Sequence, residues 1–231
     1  MFFEYKSDVT DFADRIYKYS RENIITVLIR HSIREEIVDR DSLSNAQLTA
    51  EGKKLAYEFG RLLPKDRVIR IFHSPINRCR ETAKLIYQGV HNDGGSGLMI
   101  GELDFLGGRY ILKRHLILDL FTDLGVPEFV EKWFRGGFDR TIIHPPKRAR
   151  NEMLNSILQC NQNNSNEIDL HVSHDLNIIL FKSMLSDVLS EDFKWPDFME
   201  GVIFKKMGKE LILCVKDKEK ILHDFNFYNE I

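Results

Sequence analysis

Cysteine is scarce. Three occur in 231 residues, at positions 79, 160 and 214, with no Cys-x-x-Cys pair. So odd and scattered a set argues against a disulfide framework and against a thiolate zinc site. One-sided charge is missing as well. Lys and Arg number 33 against 35 Asp and Glu, a formal net charge of −2, so the total offers nothing to nucleic acid or to an anionic membrane surface. Long apolar runs are absent. The longest mostly apolar stretch, "LNIILF" at 176–181, is far short of the roughly 20 residues that cross a bilayer. The N-terminus, "MFFEYKSDVTDFADRIYKYS", carries charge from its fourth residue and has no apolar core of signal-peptide length. The expectation is a cytoplasmic protein without nucleic-acid or membrane partners; oligomeric state is not legible.

What is present is ordinary globular material, 43% hydrophobic and 29% charged, enough for one domain with room for an insertion. Val9, Phe12, Ile16 and Tyr19 fall at helical spacing within 8–20, with Ser7 as a candidate cap. "IITVLI" at 24–29 is β-branched and continuous, as a strand buried on both faces should be. "LTAEGKKLAYEFGRLLP" reads as a helix with Thr49 near its start and Pro64 just past its end. "RVIRIFHS" at 67–74 reads as a second strand, and "PINRCRETAKLIYQGV" as a helix with Pro75 in its first position. "HNDGGSG" at 91–97 reads as a loop, and "LMIGELDFL" as holding a short strand. Two helices over 110–135 break near Gly125-Val126-Pro127, and "NEMLNSILQCN" is helical again. A strand near 168–173, a helix from about 175, and a terminal hairpin turning at Gly208 with a further strand complete the chain.

Strand–helix alternation with buried strands predicts an α/β protein: a three-layer α/β/α sandwich with a mostly parallel central sheet. It is expected as a single domain over 1–231, with a mainly helical insertion over about 90–150 covering the site. Ligand chemistry belongs at the carboxyl ends of the strands.

Three stretches share one pattern, a strand followed by a cationic or imidazole-bearing turn: "VLIRHSIR", "IRIFHSPINRCRETA" and "LHVSHDLNI". If those strands are neighbours, Arg30, His31, Arg34, Arg78 and His174 meet. Guanidinium forks match phosphate oxygens. Three of them with a protonated His174 suit a phosphoryl dianion and the extra charge of its transition state. Surrounding cations lower the pKa of His31, freeing a ring nitrogen for attack on phosphorus. The departing alkoxide needs a proton, and two carboxyls are candidates. Asp175 follows His174 directly; Glu102 stands at the mouth of the insertion.

These residues carry a resemblance. "RHSIRE", "LTAEG", "HSPINRCRETA" and "VSHD", in that order, resemble the histidine phosphatase superfamily, which includes phosphoglycerate mutases and histidine acid phosphatases. The resemblance spans about residues 24–90 and 168–215. It implies His31 as a phosphorylated nucleophile, Arg30, Arg34 and Arg78 as phosphate ligands, and His174 as the second site histidine, with no metal or cofactor. One branch of that superfamily takes its acid from an Asp after the second histidine, which Asp175 matches. The other takes a Glu after the second strand–helix unit, which Glu102 matches. Ser32 stands where the family usually has Gly.

The expected activity is a metal-independent phosphomonoester hydrolase acting on a small phosphorylated substrate or a phosphoprotein. The alternatives are a phosphoglycerate-mutase-like phosphotransferase, with "HPPKRAR" at 144–150 as a hint of a second anion site, a non-catalytic phosphate-binding module, and an HD-type metal phosphohydrolase using "HVSHD". Against the last, His171 and His174 differ by an odd number of positions, which on a strand sends them to opposite faces. Thr49, Gly52, Ser74, Thr82, His73 and Cys79 read as structural.

Overall fold

The computed structural model describes residues 2–20 (side chains from residue 8), 23–37, 39, 45–160 and 166–222. Helix α1 (Phe2–Ser20) leads into strand β1 (Ile24–Arg30), then α2 (Ala50–Leu62), β2 (Val68–His73), α3 (Asn77–Asn92) and β3 (Ser96–Glu102). A 3-10 turn (Asp104–Gly107) precedes α4 (Arg114–Leu124), α5 (Val126–Phe134) and α6 (Pro146–Cys160). The chain then forms β4 (Glu167–Ser173), α7 (Asp175–Lys182), β5 (Gly201–Met207), β6 (Glu210–Val215) and β7 (Lys218–Leu222).

The strands form one sheet in the order β3-β2-β4-β1-β5-β6-β7. The pairings β3–β2, β2–β4 and β4–β1 are parallel; those from β1 through β5 and β6 to β7 are antiparallel. Because β6 turns back to the direction of β1, only β5 and β7 run against the others. The sheet is therefore mostly parallel, with a hairpin edge. Alternation along the central strands separates two cores. Ile25, Val27, Ile29, Ile69, Ile71, Ile168, Leu170 and Val172 face α1, α2 and α3. Leu28, Phe72 and Phe204 face the 3-10 turn and α4 to α7. That is the expected three-layer sandwich.

Local signals mostly act as read. Thr49 caps α2, its side chain accepting from the Gly52 N–H at 3.0 Å. Gly208 turns the β5–β6 hairpin at φ +60°. Two readings fail. Ser7 lies inside α1, which starts six residues earlier than the apolar periodicity indicates. Pro75 stands outside α3, whose cap is Ile76; there the Ser74 hydroxyl accepts from the Ile76 N–H at 3.3 Å, so the proline belongs to a side-chain-closed turn. Among the described residues no helix is long and apolar enough to cross a membrane.

The core face of β4 that carries Asp169 and His171 is chemically unusual. His171 is fully buried, stacked on Phe72 at 4.7 Å between centroids, and neither ring nitrogen has a hydrogen-bond partner. Burial, and then the charge of Arg70, pushes its pKa down to about 3. The unfolded chain therefore takes up a proton near pH 6.5 that the folded chain refuses, and stability falls as pH drops from about 6.5 towards 3. Asp169, raised to about 7 chiefly by burial, acts oppositely, giving up stability as pH rises from its unfolded value through 7. Arg70 lies 3.3 Å from its carboxylate but makes no hydrogen bond to it, so the pairing does not offset burial. Replacing His171 by leucine is expected to flatten the acid limb of the urea-melt stability profile between pH 7.5 and 4.5, by about 2–3 kcal/mol. An unchanged limb would show that His171 is not buried as a neutral ring.

Candidate active site

Strand order brings the three cationic turns together. β4 lies between β1 and β2, with Arg30 opposite Ser173 and His73 opposite Val172. The pairing continues one residue beyond the strands: the His31 N–H donates to the Ser173 carbonyl at 2.9 Å and the Ser74 N–H to the Val172 carbonyl at 3.0 Å. His31, Ser74 and His174 thus leave the sheet side by side.

His31 is only 2% exposed. Its Nδ1 lies 2.8 Å from the Ser32 carbonyl. A carbonyl only accepts, so Nδ1 carries the hydrogen and Nε2 keeps its lone pair. Arg78 Nε donates to that Nε2 at 3.0 Å. Burial first, then the charges of Arg78, His174 and Arg30, hold the His31 pKa well below the ordinary histidine value.

His174 caps α7 and meets His31 edge to face, 5.5 Å between ring centroids. Its Nε2 bonds the Ser74 hydroxyl at 2.9 Å. The sequence suggests a His174 protonated against a bound phosphoryl group. Among the protein groups alone, burial, then Arg78, lower its pKa to about 3 against the opposing charge of Asp175. Cys79, 3.6 Å from the same Nε2, is pushed up to about 12 by burial and stays a thiol.

Arg34 and Arg78 line a cavity of about 540 Å³ together with His31, His174 and Asp175. Arg34 falls to about 10 through burial and the nearby charges of Arg78 and Arg30, and remains a cation at neutral pH. Arg30 does not line the cavity. It sits behind Asp175, with Nη2 3.1 Å from Oδ2 of the carboxylate, Nη1 donating to the Pro196 carbonyl at 2.6 Å, and its plane over the Phe198 ring at 4.1 Å. Its Nε–H is buried without an acceptor.

The two candidate acids separate. Asp175 lines the cavity, accepts from the Leu176 N–H at 2.9 Å and from the Trp195 indole at 3.4 Å. Burial raises its carboxyl, but Arg30, then His174 and these donors, outweigh that and hold it below the ordinary carboxylate value. Glu102, at the end of β3, is 43% exposed, pairs with Arg80 at 3.1 Å, and is not among the cavity-lining residues.

Ser32 fits where glycine is usual. It is fully buried, and its φ is not in the left-handed region, so no glycine conformation is needed. Its hydroxyl donates to the Gly52 carbonyl at 2.7 Å and its N–H to the Thr82 hydroxyl at 3.1 Å. Thr82 in turn donates to the Arg78 carbonyl at 2.7 Å. One chain of hydrogen bonds therefore ties the His31 turn to α2 and to the helix that carries Arg78.

Two sequence hints lead elsewhere. His144 and Arg148 both engage Glu152, at 2.7 and 2.8 Å, outside the cavity lining, so "HPPKRAR" brings no second anion site to this cavity. His171 faces Phe72 while His174 faces Ser74, so "HVSHD" does not converge; among the described residues no group of three His, Cys, Asp or Glu is placed to hold a metal.

The Trp195–Glu200 segment is what sequence reading missed. It supplies an indole to Asp175, a carbonyl and a ring to Arg30, and Phe198 at 5.8 Å from His31. Met199, fully buried, sits at φ 64°, a strain of about 1 kcal/mol for a side-chain-bearing residue. The buried Lys182–Glu200 pair, at 2.7 Å, fixes the turn. "KWPDF", a Trp-Pro pair outside any periodic pattern, is the available signal.

Residues 26–93 match the family model of the histidine phosphatase superfamily (branch 1). That span covers "RHSIRE", "LTAEG" and "HSPINRCRETA"; "VSHD" and both candidate acids lie beyond it. No curated protein matches the sequence. Among solved structures the chain is similar in fold to Bacillus stearothermophilus YhfR, at 15% identity and TM-score 0.54, over 84% of this chain and 96% of that one. It is also similar to mycobacterial hydrolase 1 (13%, 0.51, 79% and 90%) and mycobacterial hydrolase 2 (11%, 0.51, 86% and 88%).

Proposed function

We propose that this chain, which carries the histidine phosphatase superfamily pattern over residues 26–93, is a metal-independent phosphomonoester hydrolase working through phospho-His31. The observation that carries the reading is the tautomer of His31. Nδ1–H is locked on the Ser32 carbonyl, Nε2 keeps the lone pair and accepts from Arg78, and the residue lines the cavity. A phosphoryl group there meets Arg78 and Arg34, whose charges offset its own and the charge that develops at transfer.

Nε2 attacks phosphorus, the P–O ester bond breaks, and the alkoxide takes a proton. Asp175 is the donor in this reading. With Arg30 against it the carboxyl is held ionised; an adjacent phosphoryl dianion supplies the opposite sign and raises its pKa. The same dianion favours a protonated His174. Asp175 then accepts a proton from the water that cleaves the P–N bond, releasing phosphate and restoring His31.

Turnover of p-nitrophenyl phosphate should survive chelator; activity lost on chelation and restored by a divalent metal would overturn the reading. Asp175→Asn should lower kcat on an alkyl phosphate by about 10²–10³-fold, and far less on p-nitrophenyl phosphate, whose leaving group needs no proton. Glu102→Gln should stay near wild type on both; the reverse pattern would move the acid to Glu102.

A further inference from the structure

Besides His31, Arg34, Arg78, His174 and Asp175, the cavity is lined by an apolar set: Ile111, Ile117, Leu118, Phe121 and Val126. Along α4, residues 117, 118 and 121 form one apolar stripe, about 6 Å long at helical rise. Several polar atoms beside these residues are already engaged. The Tyr110 hydroxyl donates to Asn177 at 2.7 Å, Thr122 to the Leu118 carbonyl at 3.0 Å, and Arg114 Nη2 to the Gly107 carbonyl at 2.8 Å. Two further lining residues, Glu36 and Asp39, are exposed carboxylates that disfavour a second anion, and among the described lining residues Arg114 is the only arginine or lysine besides Arg34 and Arg78.

We infer that the site selects phosphomonoesters of apolar alcohols, aryl or medium-chain alkyl, over compact doubly anionic metabolites. The inference rests on the phosphomonoesterase reading and assigns its substrate class. The phosphoryl group takes the His31 end, and the alcohol's hydrocarbon covers the α4 stripe, exchanging water contact for contact with Leu118 and Phe121.

The test is a series of n-alkyl phosphates from ethyl to octyl, with naphthyl phosphate, 3-phosphoglycerate and phosphoserine, read by phosphate release. KM should fall about threefold per methylene over the first few steps, and naphthyl phosphate should exceed 3-phosphoglycerate in kcat/KM by at least about tenfold. Leu118→Ser should flatten the series. Calorimetric binding of the same alkyl phosphates to His31→Ala reads chain-length dependence without turnover. A flat series, or a preference for 3-phosphoglycerate, in an enzyme that releases phosphate overturns the inference. Chain-length-dependent binding with no phosphate released from any substrate by the wild type overturns the hydrolase reading instead and leaves the substrate class supported.

Discussion

Replacing His31 by alanine is expected to lower phosphate release from p-nitrophenyl phosphate by at least about 10⁴-fold, as loss of an attacking group does elsewhere. The neighbours offer no substitute. The Cys79 thiol is raised to about 12 and buried, and Nε2 of His174 is engaged by Ser74. Binding should persist, because Arg34 and Arg78 still line the cavity; phosphate or vanadate titration checks that the variant is folded. His31→Asn, which keeps a polar group beside Ser32, is the second variant and should be equally inactive. The pH profile follows from the same geometry. A His31 pKa well below 6.5 keeps Nε2 unprotonated at mildly acidic pH, so the acid limb of kcat/KM assigned to this ring should lie below pH 6.5. A limb that rises only above pH 7 would mean that His31 is protonated in the folded protein.

The second large effect is structural. Gly52, one turn into α2, has no room for a side chain: a Cβ there would stand 2.0 Å from the Ile33 carbonyl oxygen and 2.8 Å from its carbon. Backbone cannot swing aside as a side-chain tip does. The same carbonyl accepts from the Thr49 N–H at 3.0 Å, and the Gly52 carbonyl accepts from Ser32. A methyl group therefore pushes on the turn that holds His31. Gly52→Ala is expected to cost about 3 kcal/mol, at the upper end for overpacking, and to lower activity as well. It should shift the urea midpoint at unchanged m-value. Gly94→Ala is the control. Gly94 sits at φ +82° with nothing within 4 Å of a Cβ, so it carries only the left-handed penalty of about 1–2 kcal/mol. Equal midpoints for Gly52→Ala and wild type would remove the contact from the account.

Much of this was legible beforehand, for identifiable reasons. Continuous β-branched runs such as "IITVLI" announce strands buried on both faces, and alternation with helices announces the layers. The cationic turns could be placed at one site because each follows such a strand. The orientation of individual groups was not legible. Arg30 reads as a phosphate ligand beside Arg34; its guanidinium also meets Asp175, Pro196 and Phe198. No local pattern encodes that, since its partners are about 165 residues away in the chain. The protonation of His174 depends on how much burial opposes one carboxylate among several guanidinium groups, which only three-dimensional placement decides. The sequence leans only modestly to Asp175 over Glu102; that Asp175 lines the cavity while Glu102 pairs with Arg80 at the surface is not written in it. Serine stands where the family usually has glycine because the turn does not use glycine's backbone freedom; its hydroxyl fits on the Gly52 carbonyl.

The most direct test of the central claim is to trap the phosphoenzyme. Wild-type protein mixed with p-nitrophenyl phosphate and quenched in alkali, where phosphohistidine survives, should yield one phosphorylated peptide, carrying the group on His31. The His31→Ala protein should yield none. Steady release of phosphate with no phosphoenzyme at any quench time, or a phosphoryl group on another residue, would contradict the account.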